Sequence, residues 1–375
     1  MKIEVYSPTI RRKEMDAVLT AMVEEKIGPG DRSRLLIQTA KEQLKFDYAL
    51  ALRSPAVALH LALKALNVKQ NQAVIISALA PRYYLQVLQD LHLTPLYCDV
   101  TYDFPCLNRE TIENTILNKQ EGLEVAAVIL NHALGFVPDT NAITELGIPV
   151  IEDISHSYGS WIKPESKEKN EKETPSNDPK VKEPKVPESP VLFHSQFTLL
   201  GLEERDILTS GGGALLFAMN RKDATVLRNF AGLADEYCLA DINSALAVVQ
   251  FKEVQRNLDR RRDIAEVFMK ASLRTRHKRF ISINDNQYCN YSFALVLEAG
   301  LKDVVAYAKK KDIILENAFT NTIAGARETS LQNAGLIDNC PVSNSLVLRT
   351  VLFPLYPRLR SAEVERISRL IMTLP

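Results

Sequence analysis

This 375-residue sequence predicts an α/β fold with a mainly parallel sheet, followed by a smaller C-terminal α+β unit. Two observations carry that reading. Between Tyr48 and Asp153, short apolar runs of strand length alternate with longer amphipathic segments, the pattern of strands joined by covering helices. After Tyr291 a shorter succession of strand, helix and strand closes on an amphipathic helix, Ser361 to Leu374. The large unit is expected over residues 1–250 and the small one over 251–375.

Taken in order, Met15, Val18, Leu19, Met22 and Val23 recur at helical spacing and predict a helix over 11–25. Lys26-Ile27-Gly28-Pro29-Gly30 breaks it, and a second helix follows from Asp31 to about Leu44. Tyr48–Leu52 reads as a strand. Pro55 then opens a helix, because its fixed φ suits the first turn and its missing N–H costs nothing there. Strands at Ala73–Ser77, Pro95–Val100, Val125–Asn131 and Ile148–Asp153 alternate with helices at Pro81–Leu91, Asn108–Leu117 and Pro138–Leu146. In such sheets ligands sit beyond the carboxyl ends of the strands, where Ser54, Ser77 and Asp153 fall.

Residues 163–190 are different material. Seven lysines, six glutamates, one aspartate and six prolines without an aromatic cannot bury enough apolar surface to offset ordering, so a disordered charged insertion is expected. The stretch Val191–Phe217 then places Gly211-Gly212-Gly213 between two strand-like runs, which calls for a tight turn or a close approach of backbone to a ligand. Beyond it come a helix at Arg221–Phe230 and a long helix from about Ala240 to Lys270. The run Asp259-Arg260-Arg261-Arg262-Asp263 within the long helix reads as a solvated face. The small unit is read as a strand at Tyr291–Glu298, a helix at Leu301–Lys310 and a strand at Ile313–Leu315.

Composition limits the function. A formal net charge of zero gives no footprint for nucleic acid and no polybasic membrane patch. No apolar run reaches the roughly 18 residues of a spanning helix, and the N-terminal residues lack a secretory apolar core. Cys98, Cys106, Cys238, Cys289 and Cys340 are scattered and form no CxxC pair, so they read as reduced thiols of a cytoplasmic protein and not as a metal site.

Eight collinear segments carry a resemblance. They are GPG near residue 29, RSPAVALHLALKAL, AVIISALAPRYYLQVLQDLHLTPLYCDV, VILNHALGFVPDTNAI, IPVIEDISHSYGS, TSGGGALLFA, LADINSALAVVQFKEVQRNLDRRRDIA and LFPLYPRLRSAEVERI. In this order the chain resembles the DegT/DnrJ/EryC1/StrS family of sugar aminotransferases. That resemblance implies a fold type I pyridoxal-phosphate transferase scaffold, an active site at a dimer interface, and a nucleotide-linked sugar substrate.

The resemblance also assigns roles, and most of the matching positions depart from them. Asp153 matches the aspartate that keeps the cofactor's pyridinium protonated, and His156 a neighbour of the cofactor. Ser195 matches a serine on the phosphate. The phosphate cradle is replaced by Ser54-Pro55-Ala56, where proline offers no N–H and alanine no hydroxyl. Pro81 stands where an aromatic would stack on the ring; Tyr83 or Tyr84 would take that place if the register slips, and both read more simply as helix side chains. Glu236 stands where an asparagine would approach the partner's cofactor. Arg205 stands at the catalytic lysine, and no lysine occurs from Val186 to Arg221. A guanidinium stays protonated at working pH and cannot form the Schiff base.

The expectation is therefore a family member without pyridoxal-phosphate catalysis and without the cofactor. It would act as a homodimer, or as a heterodimer with an active paralogue, in nucleotide-sugar or polysaccharide metabolism. The alternative is an active aminotransferase, or a dehydratase using His194, with pyridoxal phosphate in an unusual site. A third expectation is a small anionic or nucleotide-sugar ligand received by Arg205.

Overall fold

The computed structural model describes residues 2–160, 195–282, 287–298, 300–326 and 339–375. The predicted insertion at 163–190 and His194 lie outside the described residues. Helices α1 (Arg12–Val23) and α2 (Asp31–Leu44) lead to β1 (Tyr48–Leu52). Five elements follow in alternation: α3 (Pro55–Ala65), β2 (Ala73–Ser77), α4 (Tyr83–Asp90), β3 (Thr94–Cys98) and α5 (Arg109–Leu117). Then come β4 (Val125–Asn131), a short α6 (Thr140–Thr144), β5 (Val150–Asp153), β6 (Phe197–Gly201) and β7 (Ala214–Ala218).

These strands form one seven-stranded sheet in the order β1-β7-β6-β5-β4-β2-β3. The run β6-β5-β4-β2-β3 is parallel, and β7 is antiparallel to both of its neighbours. Parallel strands need crossover helices that cover the sheet, which is why β2, β6 and β7 are buried at every position. Ser77, Asn131, Asp153 and Gly201 end their strands on one edge of this sheet.

α7 (Arg221–Arg228) precedes α8, a 32-residue helix from Asp241 to Ser272. α8 contributes Phe251 to a core with Phe46 and Phe217, and Phe268 to a second core with Phe293, Phe353 and Ile367. That second core covers a three-stranded antiparallel sheet, β8 (Phe293–Val296), β10 (Thr350–Phe353) and β9 (Glu316–Asn317), in that spatial order. α9 (Leu301–Lys309), α10 (Pro341–Arg349) and α11 (Ser361–Met372) accompany it.

Two local expectations are corrected. Ile313–Leu315 is not a strand: Ile313 makes a single parallel bridge with Ile3, and the pairing with β10 begins only at Glu316. Ile313 and Leu315 are buried as the N-terminal segment closes over this stretch, with Ile3 N–H donating to Asp312 O at 2.9 Å. The arginine run of α8 is not uniformly solvated. Arg261 is 5% exposed and donates to the carbonyls of Asn290, Tyr291 and Leu355 at 3.3, 2.9 and 2.9 Å. An arginine can be buried at low cost when its donors meet carbonyls that would otherwise be unpaired.

The three glycines make a turn. Gly211, Gly212 and Gly213 all have positive φ, and the loop folds back on Leu202, whose carbonyl accepts the N–H groups of Ser210 and Gly212. A Cβ on Gly213 would stand 2.4 Å from Leu239 Cδ1, so the position needs glycine for packing as well as for φ.

Candidate functional site

A cavity of about 520 Å³ opens at the carboxyl edge of the parallel strands, beneath the segment from Glu316 to Thr322. Asp153, at the end of β5, is its most heavily bonded side chain. Tyr83 and Tyr84 donate their hydroxyls to Oδ2 at 2.9 and 2.7 Å. Ser155 donates to Oδ1 through its backbone N–H at 3.0 Å and through its hydroxyl. A carboxylate has about four acceptor positions, and here the chain fills them all.

Local sequence explains how these donors arrive. Two successive tyrosines open α4, and their rings meet edge to face at 4.8 Å, which lets both hydroxyls converge on one oxygen. Burial, with the nearby Asp153 charge, raises both phenols well above their ordinary range, so they stay protonated donors. Ser155 Oγ in turn accepts the Gly201 N–H at 2.7 Å. A side chain at Gly201 would collide with Asp206 and Ser155, so only glycine fits beside this network.

His156 forms one wall. Its ring stacks on Tyr291 with centroids 4.0 Å apart and planes 13° apart. Gly135 permits this: its φ is +87°, and a Cβ would lie 2.8 Å from Tyr291 Cβ. Burial pushes the His156 imidazole down to about 4, against the pull of the Asp153 charge. Its Nε2 lies 3.6 Å from Asp206 Oδ1. Burial drives the Asp206 carboxyl well above the usual range; the Glu203 N–H pulls the other way and the Asp153 charge adds to the rise. Near neutrality the imidazole is thus uncharged and Asp206 is biased towards its protonated form.

Arg205 reaches the cavity from the loop after β6. Its guanidinium pairs with Glu316 of β9 at 2.7 Å and lies over the Tyr6 ring at 5.7 Å. The Glu316 hydrogen bond raises the arginine further above its already high range. The group expected to receive an anion is therefore engaged within the chain.

The other predicted residues are divided. Pro55 and Pro81 line the cavity. Ser54 caps α3, its Oγ accepting the Val57 N–H at 3.3 Å, and Ala56 packs against the main core. Ser195 does not belong to the site. It precedes β6, at the opposite end of the strand from the cavity, with its hydroxyl 3.0 Å from that of Thr198. Glu236 is exposed in a 3-10 turn and does not line the cavity.

The family model of the DegT/DnrJ/EryC1/StrS aminotransferases matches residues 8–167 and 216–372. The chain belongs to the DegT/DnrJ/EryC1/StrS aminotransferase family. Solved structures share its fold over almost the full length. A Streptococcus pneumoniae protein assigned as a sugar aminotransferase, Spr1654, superposes with a TM-score of 0.83 at 17% identity, covering 100% of this chain and 97% of that one. The aminotransferase TlmJ of Streptoalloteichus hindustanus gives 0.81 at 16% identity, covering 99% and 98%. The Escherichia coli GDP-4-keto-6-deoxy-D-mannose-3-dehydratase gives 0.79 at 12% identity, covering 99% of each. At these identities the likeness shows the fold, the pyridoxal-phosphate transferase type I architecture with its large, mostly parallel seven-stranded sheet.

The residues lining the cavity do not fit the cofactor of that architecture. A pyridinium N–H needs a free acceptor on Asp153, and each oxygen already receives two donors. At the start of α3 an incoming phosphate would face Pro55, which has no N–H, and a Val57 N–H already taken by Ser54. No lysine lines the cavity among the described residues.

Sequence reasoning missed four participants. Tyr83 and Tyr84, read as plain helix side chains, are helical and also hold Asp153. Asp206, adjacent to Arg205, was hidden in the charged run Glu203-Glu204-Arg205-Asp206, where spacing does not tell one acid from another. Glu316 carried no signal, because it lies 111 residues from the arginine it meets.

Proposed function

We propose that the chain is a family member that has given up pyridoxal-phosphate catalysis and acts as a binding or structural partner. One observation carries the reading: Asp153, the residue that would hold the cofactor's ring nitrogen, has its acceptor positions filled by Tyr83, Tyr84 and Ser155. Arg205, paired to Glu316 in place of the Schiff-base lysine, supports it. Titrating the purified protein with pyridoxal phosphate is the test. No aldimine absorption band and no cofactor fixed to the chain by borohydride are expected. A band that borohydride fixes would overturn the proposal.

The names of similar structures, sugar aminotransferases and a GDP-sugar dehydratase, support a setting in nucleotide-sugar or polysaccharide metabolism. A cytoplasmic location is part of this reading. So is pairing with a second chain, either its own copy or a catalytically competent paralogue. Met15, Leu19, Met22, Val23 and Ile27 support that pairing: they stand exposed on and just after α1, whose Ala21 faces inward. A second reading, an active transferase or dehydratase, draws on Asp153 and His156 sharing one cavity. It predicts stoichiometric cofactor binding and turnover of a nucleotide-linked keto-sugar.

A further inference from the structure

We propose that the outer end of the small unit is a docking face for an anionic membrane surface. The zero net charge of the chain averages over an uneven distribution. Just past the end of α8, Arg274, Arg276, Lys278 and Arg279 stand exposed within six residues. Lys309, Lys310 and Lys311, also exposed, close α9 and begin the turn after it. Folding brings the two runs together. Arg274 Nη1 lies 3.7 Å from Met372 Sδ, and the neighbouring Thr373 hydroxyl accepts from the Lys311 ammonium at 3.4 Å and the Tyr307 hydroxyl at 2.9 Å. Arg366 of α11 joins them, donating to the Lys311 carbonyl at 2.8 Å.

Acids do not balance this face. Glu298 stands 3.9 Å from Arg276, Glu365 pairs with Arg369, and Asp312 follows the lysines. Arg274, Lys278, Arg279, Lys309, Lys310 and Lys311 have no carboxylate partner among the described residues. Like charges gathered on one surface attract a polyanionic partner. Two observations favour lipid over nucleic acid as that partner. Leu273, the C-cap of α8, is 75% exposed and Ile281 is 58% exposed, so an apolar side chain flanks the first basic run at each end. A peripheral face grips lipid when apolar side chains enter the headgroup region and arginines and lysines stay at the phosphates. The aromatics here offer no platform for a base: Phe280 is buried, and the Lys311 ammonium covers the Tyr307 ring at 4.3 Å. Arg11 and Lys13 hold α1 beside Asn257 and Glu253, roughly 25–30 Å along α8 from Leu273, so pairing through α1 does not cover this face. No helix among the described residues is long and apolar enough to cross a membrane, and the contact is peripheral.

Co-sedimentation of the full chain with vesicles tests the inference. Phosphatidylcholine vesicles carrying about 30% phosphatidylglycerol should bind the chain about 10-fold more tightly than phosphatidylcholine alone, and raising salt from about 0.05 to about 0.5 M should remove most of the difference. Arg274→Gln and Lys310→Gln should each weaken that binding by about 3- to 5-fold, the share of one basic side chain near an anionic surface. Leu273→Ser should weaken it by about 3-fold and keep its salt dependence. Lys222→Gln, at an exposed lysine of α7, should change nothing. All four are surface side chains, and circular dichroism checks that each variant is folded. Equal binding to neutral vesicles, no binding to either, or tighter binding to duplex DNA than to anionic vesicles would each overturn the inference. So would an unchanged affinity in Arg274→Gln and Lys310→Gln, an unchanged affinity in Leu273→Ser, or an equal loss in Lys222→Gln. Cofactor fixed by borohydride bears only on the proposed loss of catalysis, so the two readings fail independently.

Discussion

Replacing Asp153 by Asn asks whether this carboxylate serves a cofactor or the fold. In the structure its two oxygens accept the Ser155 N–H and hydroxyl on one side and two tyrosine hydroxyls on the other. An asparagine can keep its oxygen towards Ser155, which turns its amide hydrogens onto Tyr83 and Tyr84. The Tyr84 phenol then keeps its own proton without an acceptor in a buried site, while Tyr83 borders the cavity. One such orphaned donor costs about 1–3 kcal/mol, so Asp153→Asn should destabilise the cofactor-free chain by roughly 1–3 kcal/mol. Urea denaturation followed by circular dichroism reads this as a lower midpoint at unchanged slope. A cycle with Tyr84→Phe should return a coupling of about 1–2 kcal/mol, because the phenylalanine no longer presents the orphaned hydroxyl. If Asp153→Asn lies within about 0.5 kcal/mol of wild type, the carboxylate is a waiting ligand group and the argument for a self-satisfied site fails.

Three other outcomes follow from the same geometry. His156 is held below its unfolded range, near 4 against 6.5, so between those values the unfolded chain binds more protons and stability falls as pH drops. His156→Gln should flatten that acid limb of the melting temperature between about pH 4 and 6.5, while Asp206, shifted upward, contributes a term of opposite sign that both proteins share. Arg261→Met should cost roughly 2–4 kcal/mol in the same urea assay, since the buried Leu355 carbonyl and the part-buried Asn290 and Tyr291 carbonyls lose their donor. Leu19→Glu on the exposed face of α1 should shift sedimentation towards the monomer without changing the urea midpoint; an unchanged mass would remove α1 from the interface.

The succession of strands and helices and the mainly parallel architecture followed from the sequence alone. Strand runs such as AVIIS and VAAVILN match β2 and β4 residue for residue, because strands covered on both faces must be apolar throughout. The absence of a lysine from Val186 to Arg221 was likewise plain from the chain. What only the tertiary structure decided is where polar groups spend their hydrogen bonds. Tyr83 and Tyr84 meet Asp153 across about 70 residues, and Arg205 meets Glu316 across 111. Ser195, close to the site by sequence order, ends at the far end of β6. Apolar periodicity is a local property that a linear reading detects. Satisfaction of a buried carboxylate is a property of elements brought together by folding, and no spacing along the chain encodes it.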